Sequence, residues 1–328
     1  MNKTGLWRWV RSAMAGSAAL LGLMTLAFAQ NYPTRPITLI VPFPPGGIID
    51  GTARVVEPGL SKELGQTIVI ENKGGSGGNN GAAIAARSEP DGYTLLVVPN
   101  AVVAINPYTF KNYPINPAKD LAPIGMIGES YLGLVVLASS PFNSVKDVVA
   151  AAKAKPGELT FAHVGIGSGH NIAGALLNKL ADINITPVPF QGAGPAMQSL
   201  LGGHITMSYG TLASLLPYVE SGKMKLLGIA ERQRIKLMPD VPTIHETVPG
   251  VESPVWVALF APAGTPKDII VRVNAALNKA LALPEVKEKL ERMGVVLTPG
   301  TPDSLQQRVS DDLKFWRDAI PLAGITPQ

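Results

Sequence analysis

The sequence predicts an α/β fold in two lobes, with parallel-rich sheets flanked by helices. Three observations predict it. Short β-rich runs alternate with helical stretches, the pattern of βαβ units. The runs are nearly continuous in apolar residues, as strands buried on both faces are. One turn also occurs twice: Val41-Pro42-Phe43-Pro44-Pro45-Gly46-Gly47 returns in outline as Val188-Pro189-Phe190-Gln191-Gly192-Ala193-Gly194, each copy between a β-rich and a helical run. The length of 328 residues fits two domains of about 100–200 residues each.

The chain opens with Lys3, Arg8 and Arg11, continues with an apolar run over 13–26, and reaches a small-x-small site at Ala27-Phe28-Ala29. This reads as a Sec-type signal peptide over residues 1–29, cleaved after Ala29 and directing the product to the periplasm. A membrane anchor is the competing reading, but the apolar run is short for a span. Strands are expected at 37–41, 67–71 and 94–98, with a helix running to Leu64 and a short alanine-rich helix after a glycine loop at 73–81. Further on, Ser144 with Asp147 reads as a capping box. Thr265-Pro266 and Thr301-Pro302 each place an N-cap hydroxyl before a first-turn proline. Helical spacing then joins Ile269, Ile270, Val273, Leu277 and Leu281, and again Leu305, Val309, Leu313, Trp316 and Ile320. These are core faces. The Asp311-Asp312 pair reads as solvated, on the polar side of the last helix.

Composition narrows the function. Hydrophobic residues make up 46% and charged residues 16%, which excludes general disorder. With no cysteine, disulfides, cysteine-ligated zinc, iron–sulfur clusters and a cysteine nucleophile are excluded. The formal charge of +4 falls to +1 once the three basic residues of the leader are removed. Nothing in that balance suggests a nucleic-acid partner.

Four glycine-rich turns, at 44–50, 73–81, 165–171 and 191–194, each open a helical stretch. Free N–H groups and the helix dipole favour anions there, and glycine admits close backbone approach. No turn matches a Walker pattern, and His170 stands where a third glycine would complete G-x-G-x-x-G after Gly165 and Gly167. Apart from Lys73 the turns hold no Lys or Arg, so a carboxylate gripped by N–H groups, hydroxyls and amides fits best. Gly74-Gly75-Ser76-Gly77-Gly78 matches G-x-S-x-G and keeps open an exported serine hydrolase using Ser76. The histidines, His163, His170, His204 and His245, lack metal-ligand spacing, so neither a metal nor a cofactor is expected. His170, near a helix start, is expected to be neutral at pH 7 and to contact the distal part of a ligand.

The ordered motifs resemble the substrate-binding proteins of tripartite tricarboxylate transporters, the Bug or TctC-like family. The resemblance rests on Tyr32-Pro33-Thr34-Arg35-Pro36-Ile37, Pro42-Phe43-Pro44-Pro45-Gly46-Gly47 with Asp50, Val69-Ile70-Glu71-Asn72-Lys73 and Pro90-Asp91-Gly92-Tyr93-Thr94-Leu95. Ile105-Asn106-Pro107, the stretch 189–196, Pro239-Asp240-Val241-Pro242-Thr243 and Ala261-Pro262-Ala263-Gly264-Thr265-Pro266 extend it over the mature chain. It implies a two-lobed periplasmic binding protein that closes on its ligand like a flytrap. Residues 30–130 with 254–328 would form one lobe and 131–253 the other. It further implies no enzymatic activity, a monomer, a small carboxylate ligand, and permease subunits in the membrane as partners.

Carried over residue by residue, the resemblance implies a ligand site in two halves. The first lobe would offer Phe43, Pro44, Gly46, Gly47, Ile48 and Asp50, with Asn100 and Ala101 nearby. The second would offer Gly165, Ile166, Gly167, Ser168, Gly169 and His170, then Gln191, Gly192, Tyr209, Gly210 and Thr211. Departures cluster at the ligand: Ile48 and Ile49 replace small or hydroxyl residues, Ile166 a frequent asparagine, Gly210 a frequent aspartate and Asn171 a frequent histidine. These changes suit a di- or tricarboxylate, aliphatic or aromatic, better than an amino acid. A receptor for sensing instead of uptake remains the other non-catalytic alternative.

Overall fold

In the computed structural model the described residues are 32–165 and 168–327. The signal peptide, its cleavage site, Ile166 and Gly167 lie outside them. In chain order the first strands are β1 (Ile37–Val41), β2 (Ile68–Asn72), β3 (Thr94–Pro99) and β4 (Leu121–Ser130). Next come β5 (Leu132–Leu137), β6 (Thr160–His163), β7 (Thr186–Pro189), β8 (Met207–Thr211) and β9 (Met224–Ile229). The last strands are β10 (Val255–Pro262) and β11 (Val296–Leu297). They build one sheet in the order β11-β4-β10-β3-β1-β2 and a second in the order β7-β6-β8-β5-β9.

Both sheets are mixed. The pairs β1–β2, β1–β3, β6–β7 and β6–β8 are parallel, as the βαβ pattern predicts. Strands β10 and β5 run antiparallel to both their neighbours. These are the strands that enter one sheet from the other. A parallel neighbour needs a crossover that returns the chain to the same end, and a strand arriving from elsewhere is free of that constraint.

The longer helices are α1 (Ile48–Leu64), α2 (Asn79–Ala86), α3 (Val145–Ala154), α4 (Gly169–Ala181) and α5 (Ala193–Leu201). After them come α6 (Leu212–Glu220), α7 (Lys267–Leu281), α8 (Pro284–Arg292) and α9 (Pro302–Leu322). Alternation along the strands feeds two cores per sheet. In the first sheet Leu39, Leu95 and Leu259 pack with α1 and α7, while Ile40, Leu96 and Phe260 pack with α2 and the start of α9. In the second, Leu134 and Phe161 pack with α3 and α4, while Val135 and Ala162 pack with α5. Helix α9 joins both assemblies: Leu305 and Val309 belong to a core of the first sheet, Trp316 and Ile320 to a core of the second.

The expected caps hold at two of three starts. Ser144 accepts from the Asp147 N–H at 3.2 Å, and Thr301 accepts from the Ser304 N–H at 3.1 Å. At the third, α7 begins one residue later than read. Pro266 is its cap, and the Thr265 hydroxyl donates back to the Pro262 carbonyl at 2.8 Å. The last helix brings a larger correction. Asp311 is exposed, but Asp312 is only 6% exposed and accepts from Trp256 Nε1 at 2.6 Å and Arg308 Nε at 3.0 Å. Its acidity hid this in the sequence, because a buried carboxylate requires partners and one of them, Trp256, lies 56 positions away.

Candidate functional site

The loop between β1 and α1 is built around a buried acid. Asp50 is 2% exposed, and its carboxylate accepts from the Gly46 N–H, Arg54 Nε and Asn72 Nδ2, each at 2.9 Å. The same Asn72 amide donates to the Phe43 carbonyl at 2.9 Å, tying the loop to the end of β2. The Arg54 hydrogen bond, then the Gly46 and Asn72 bonds, outweigh burial and hold the Asp50 carboxyl down at about 2. All three bonds face the loop's own backbone and neighbours. Asp50 therefore shapes the site from behind. Gly46 has φ +86°, a left-handed conformation that glycine adopts without strain. Gly47 caps α1 at φ −78° with no side-chain acceptor, so no side chain covers the first-turn N–H groups.

A cavity of about 550 Å³ opens against this loop. Phe43, Pro44, Pro45, Gly47, Ile48 and Ile49 form one side. Pro99 from β3, 128–130 from β4, Val255 and Val257 from β10, and Val295 form the floor. Thr211, the cap of α6, reaches it from the second sheet, and its hydroxyl donates to Ser214 at 3.2 Å. Of the residues named from sequence, this cavity gathers Phe43, Pro44, Gly47, Ile48 and Thr211. The sequence reading missed Ser130, Val255, Val257 and Val295. For Ser130, Val255 and Val257 the signal was only the alternation of a strand, which marks a face without saying what lies on it.

The other predicted residues stand elsewhere. Asn100 is 2% exposed and donates to the Pro254 carbonyl at 2.7 Å, fastening β3 to the start of β10. Ala101 packs against the core of the second sheet. Tyr209 is 3% exposed, with its ring edge-on to Phe161 in that core. Gly210 is buried, and a Cβ there would lie 2.7 Å from Leu215, which fills the space of the aspartate expected by resemblance. Ser168 caps α4, accepting from the Asn171 N–H at 3.3 Å and donating to the Gly165 carbonyl at 2.7 Å. The Gly169 carbonyl accepts from Ser253 at 3.0 Å. Gln191 is exposed, and Gly192 opens α5 at φ +129°. His170 is pushed down to about 4, first by burial and then by His163 beside it. The expected neutral ring stands, but with a different cause from the helix dipole.

Ser76 sits in an exposed turn at φ +51°. His163 accepts from the Gly165 N–H at 3.2 Å and His245 pairs with Glu252 at 2.9 Å, both in the second sheet's half of the chain. Among the described residues no cluster of three or more His, Asp or Glu could hold a metal ion, and no helix is long and apolar enough to cross a membrane.

On the other face of β4 and β10 lies a charged cluster. Arg308 pairs with Glu129 at 2.8 Å and with Asp312, and Tyr131 donates to Glu129 at 3.1 Å. Glu231, just past β9, is pushed up to about 8 by burial and then by the neighbouring Glu129. The cluster sits where the chain crosses between the sheets.

The family model described as "Tripartite tricarboxylate transporter family receptor" matches residues 52–324. BugT of Bordetella pertussis is 34% identical over 308 residues, covering 93% of this chain and 94% of that protein. Among solved structures, a TctC solute binding protein from Polaromonas superposes with a TM-score of 0.80 at 29% identity, over 88% of this chain and 99% of that one. Rpa4515 of R. palustris, with adipate, gives 0.74 at 31% identity over 90% of this chain and 100% of that one. MatC from Rhodopseudomonas palustris, with bound malate, gives 0.70 at 33% identity over 88% of this chain and 100% of that one. A match of this extent, on a chain with two mixed sheets and a glycine-opened helix at a cavity between them, places the protein in the tripartite tricarboxylate transporter receptor family.

Proposed function

We propose that the protein is a non-catalytic periplasmic receptor that captures a small carboxylate and delivers it to membrane permease subunits of its transporter. The observation that carries this reading is the cavity: the uncapped start of α1 on one side and Thr211 of the second sheet on the other. A carboxylate there would accept N–H bonds, each about 1.5–3 kcal/mol for a charged acceptor. Three or four suffice for micromolar affinity, about −8 kcal/mol. The adipate of Rpa4515 and the malate of MatC support the same ligand class.

In this reading residues 1–29 are removed on export, and the receptor acts as a monomer. Residues 30–130 with 254–328 close against 131–253, and the loops at 165–170 and 191–192 reach the ligand on closure. The test is a thermal-shift screen of acids against their amides, with the acid assayed afterwards. Stabilisation by acids alone, with the acid recovered intact, is expected. Equal shifts by the amides would refute carboxylate capture, and consumption of the acid would refute a non-catalytic receptor.

A further inference from the structure

Three consecutive residues between α8 and β11 face three different parts of the molecule. Met293 lies over α1: a Cβ added at Gly51 would stand 2.7 Å from the Met293 Cε. Gly294 meets α6, which follows β8 of the second sheet: a Cβ added at Gly294 would stand 2.2 Å from the Ala213 Cβ. Val295 lines the cavity, and so does Thr211, two residues before Ala213. The contact of Gly294 with Ala213 therefore joins the two halves of the chain at the cavity wall.

Both sides of that contact are mounted beside the crossing. The Gly294 N–H donates to the Glu291 carbonyl and the Val295 N–H to the Leu290 carbonyl, each at 2.9 Å. The next residue, Val296, pairs with Glu129 of β4. Across the contact, the Leu212 N–H donates at 2.9 Å to the carbonyl of Tyr131, the residue that links β4 to β5. Gly294 has φ +77°, so the turn itself favours glycine. Crowding is a second and separate demand, since two carbons rest about 3.5–4.0 Å apart.

We infer that Gly294 is a positioning residue for ligand capture: its bare Cα and the Ala213 methyl form the bearing on which the second lobe turns onto the first. This rests on the carboxylate-receptor reading and deepens it. Among the described residues, none in the loops at 165–170 and 191–192 lines the cavity, so closure has to bring those loops in. Gly294 and Ala213 already touch, so the lobes cannot approach along that line and must rotate about it. A methyl at residue 294 wedges the lobes apart beside the crossing. The opening grows toward β2 and β7, the edge strands farthest from β10 and β5 in their sheets. Apparent affinity then falls with the fraction of protein still able to close.

The experiment reads closure from the distance between spin labels at Ile84→Cys on α2 and Gln198→Cys on α5, exposed sites on the helices that follow β2 and β7. The chain has no cysteine of its own. Calorimetry of the mature protein with malate, adipate, hexanoate and benzoate, each beside its amide, reads affinity. Gly294→Ala should weaken the acids that bind by about tenfold and lengthen the label distance with acid present. Adding Ala213→Gly should restore the distance and bring affinity back to within about threefold of wild type. Ala213→Val, in a helix, should repeat the effect of Gly294→Ala. If Ala213→Val, folded by its melting curve, closes and binds like the wild type, the inference falls and the receptor reading stands. The same holds if Ala213→Gly restores nothing, because strain at φ +77° then accounts for the loss. Amides that match their acids overturn the receptor reading itself, and a panel in which nothing binds overturns both.

Discussion

The two sheets repeat one plan. The order β2-β1-β3-β10-β4 in the first matches β7-β6-β8-β5-β9 in the second, with two parallel pairs followed by two antiparallel pairs in each. The loop after β1 therefore corresponds to the loop after β6. The repeated turn in the sequence paired it with the loop after β7, one strand too far. Equivalent loops are held by different chemistry. After β1, a buried carboxylate with three donors fixes the backbone. After β6, a ring nitrogen and a hydroxyl do so: His163 accepts from the Gly165 N–H, and Ser168 donates to the Gly165 carbonyl. Charge-assisted bonds are roughly twice as strong as neutral ones. The loop after β1 is thus the more firmly held of the two.

The strongest way to break this comparison is Asp50→Ala. It should lower stability by about 3 kcal/mol, from bonds to a charged acceptor of about 1.5–3 kcal/mol each, and cost ligand affinity at least tenfold. Denaturant unfolding and calorimetry measure both. The acid side follows from the same group. With its carboxyl held at about 2, the stability Asp50 contributes is present above its ordinary 3.8 and lost as pH falls through about 2. An Asp50→Ala variant that unfolds in acid like the wild type would show the two loops to be equally soft.

The crossing region should show the opposite sign. Glu231 is raised from 4.5 to about 8 among Glu129, Arg308, Glu252 and Asp312. Its contribution is complete below 4.5 and is lost as pH rises through about 8, a loss on the order of 5 kcal/mol at most. Glu231→Gln should flatten the fall of melting temperature between about pH 4.5 and 8, and an unchanged fall would place the titration elsewhere.

A smaller contrast lies within the first loop. Gly46→Ala, at φ +86°, should cost about 1–2 kcal/mol of stability and weaken binding. Gly47→Ala, at φ −78° with the nearest atom 3.8 Å from its new Cβ, should stay within about 0.5 kcal/mol of wild type in stability. In the loop after β6, Ser168→Ala removes a cap and should cost about 1 kcal/mol in thermal unfolding, well below Asp50→Ala. A cost above that of Asp50→Ala would invert the ranking of the two loops.

Local features were legible where a residue's neighbours along the chain decide its state. The first strands, the long helix after the first turn and the caps at Ser144 and Thr301 are of this kind. What escaped depends mostly on partners distant in sequence. Asn72, 22 positions on, claims Asp50 together with the nearby Arg54, so a residue that looked like a ligand group is engaged behind the loop. Trp256, 56 positions away, claims Asp312 against its polar appearance. Asn100 is tied to Pro254, 154 positions away. Ser130 gave no sign, because a serine ending an apolar strand usually meets water. Only the register of β4 against β10 turns it to the cavity.

Helix α9 places a limit on how this protein can be recombined. Leu305 and Val309 complete a core of the first sheet, and Trp316, Ala319 and Ile320 complete a core of the second, beside Ala104 and Ile105. Cutting the chain at its two crossings would strip the second sheet of that plug and leave an apolar hole. A chimera that exchanges the second lobe between relatives should therefore inherit the last two turns of α9 from the same parent. The last turns of α9 pack with the second sheet, although the strands just before them belong to the first.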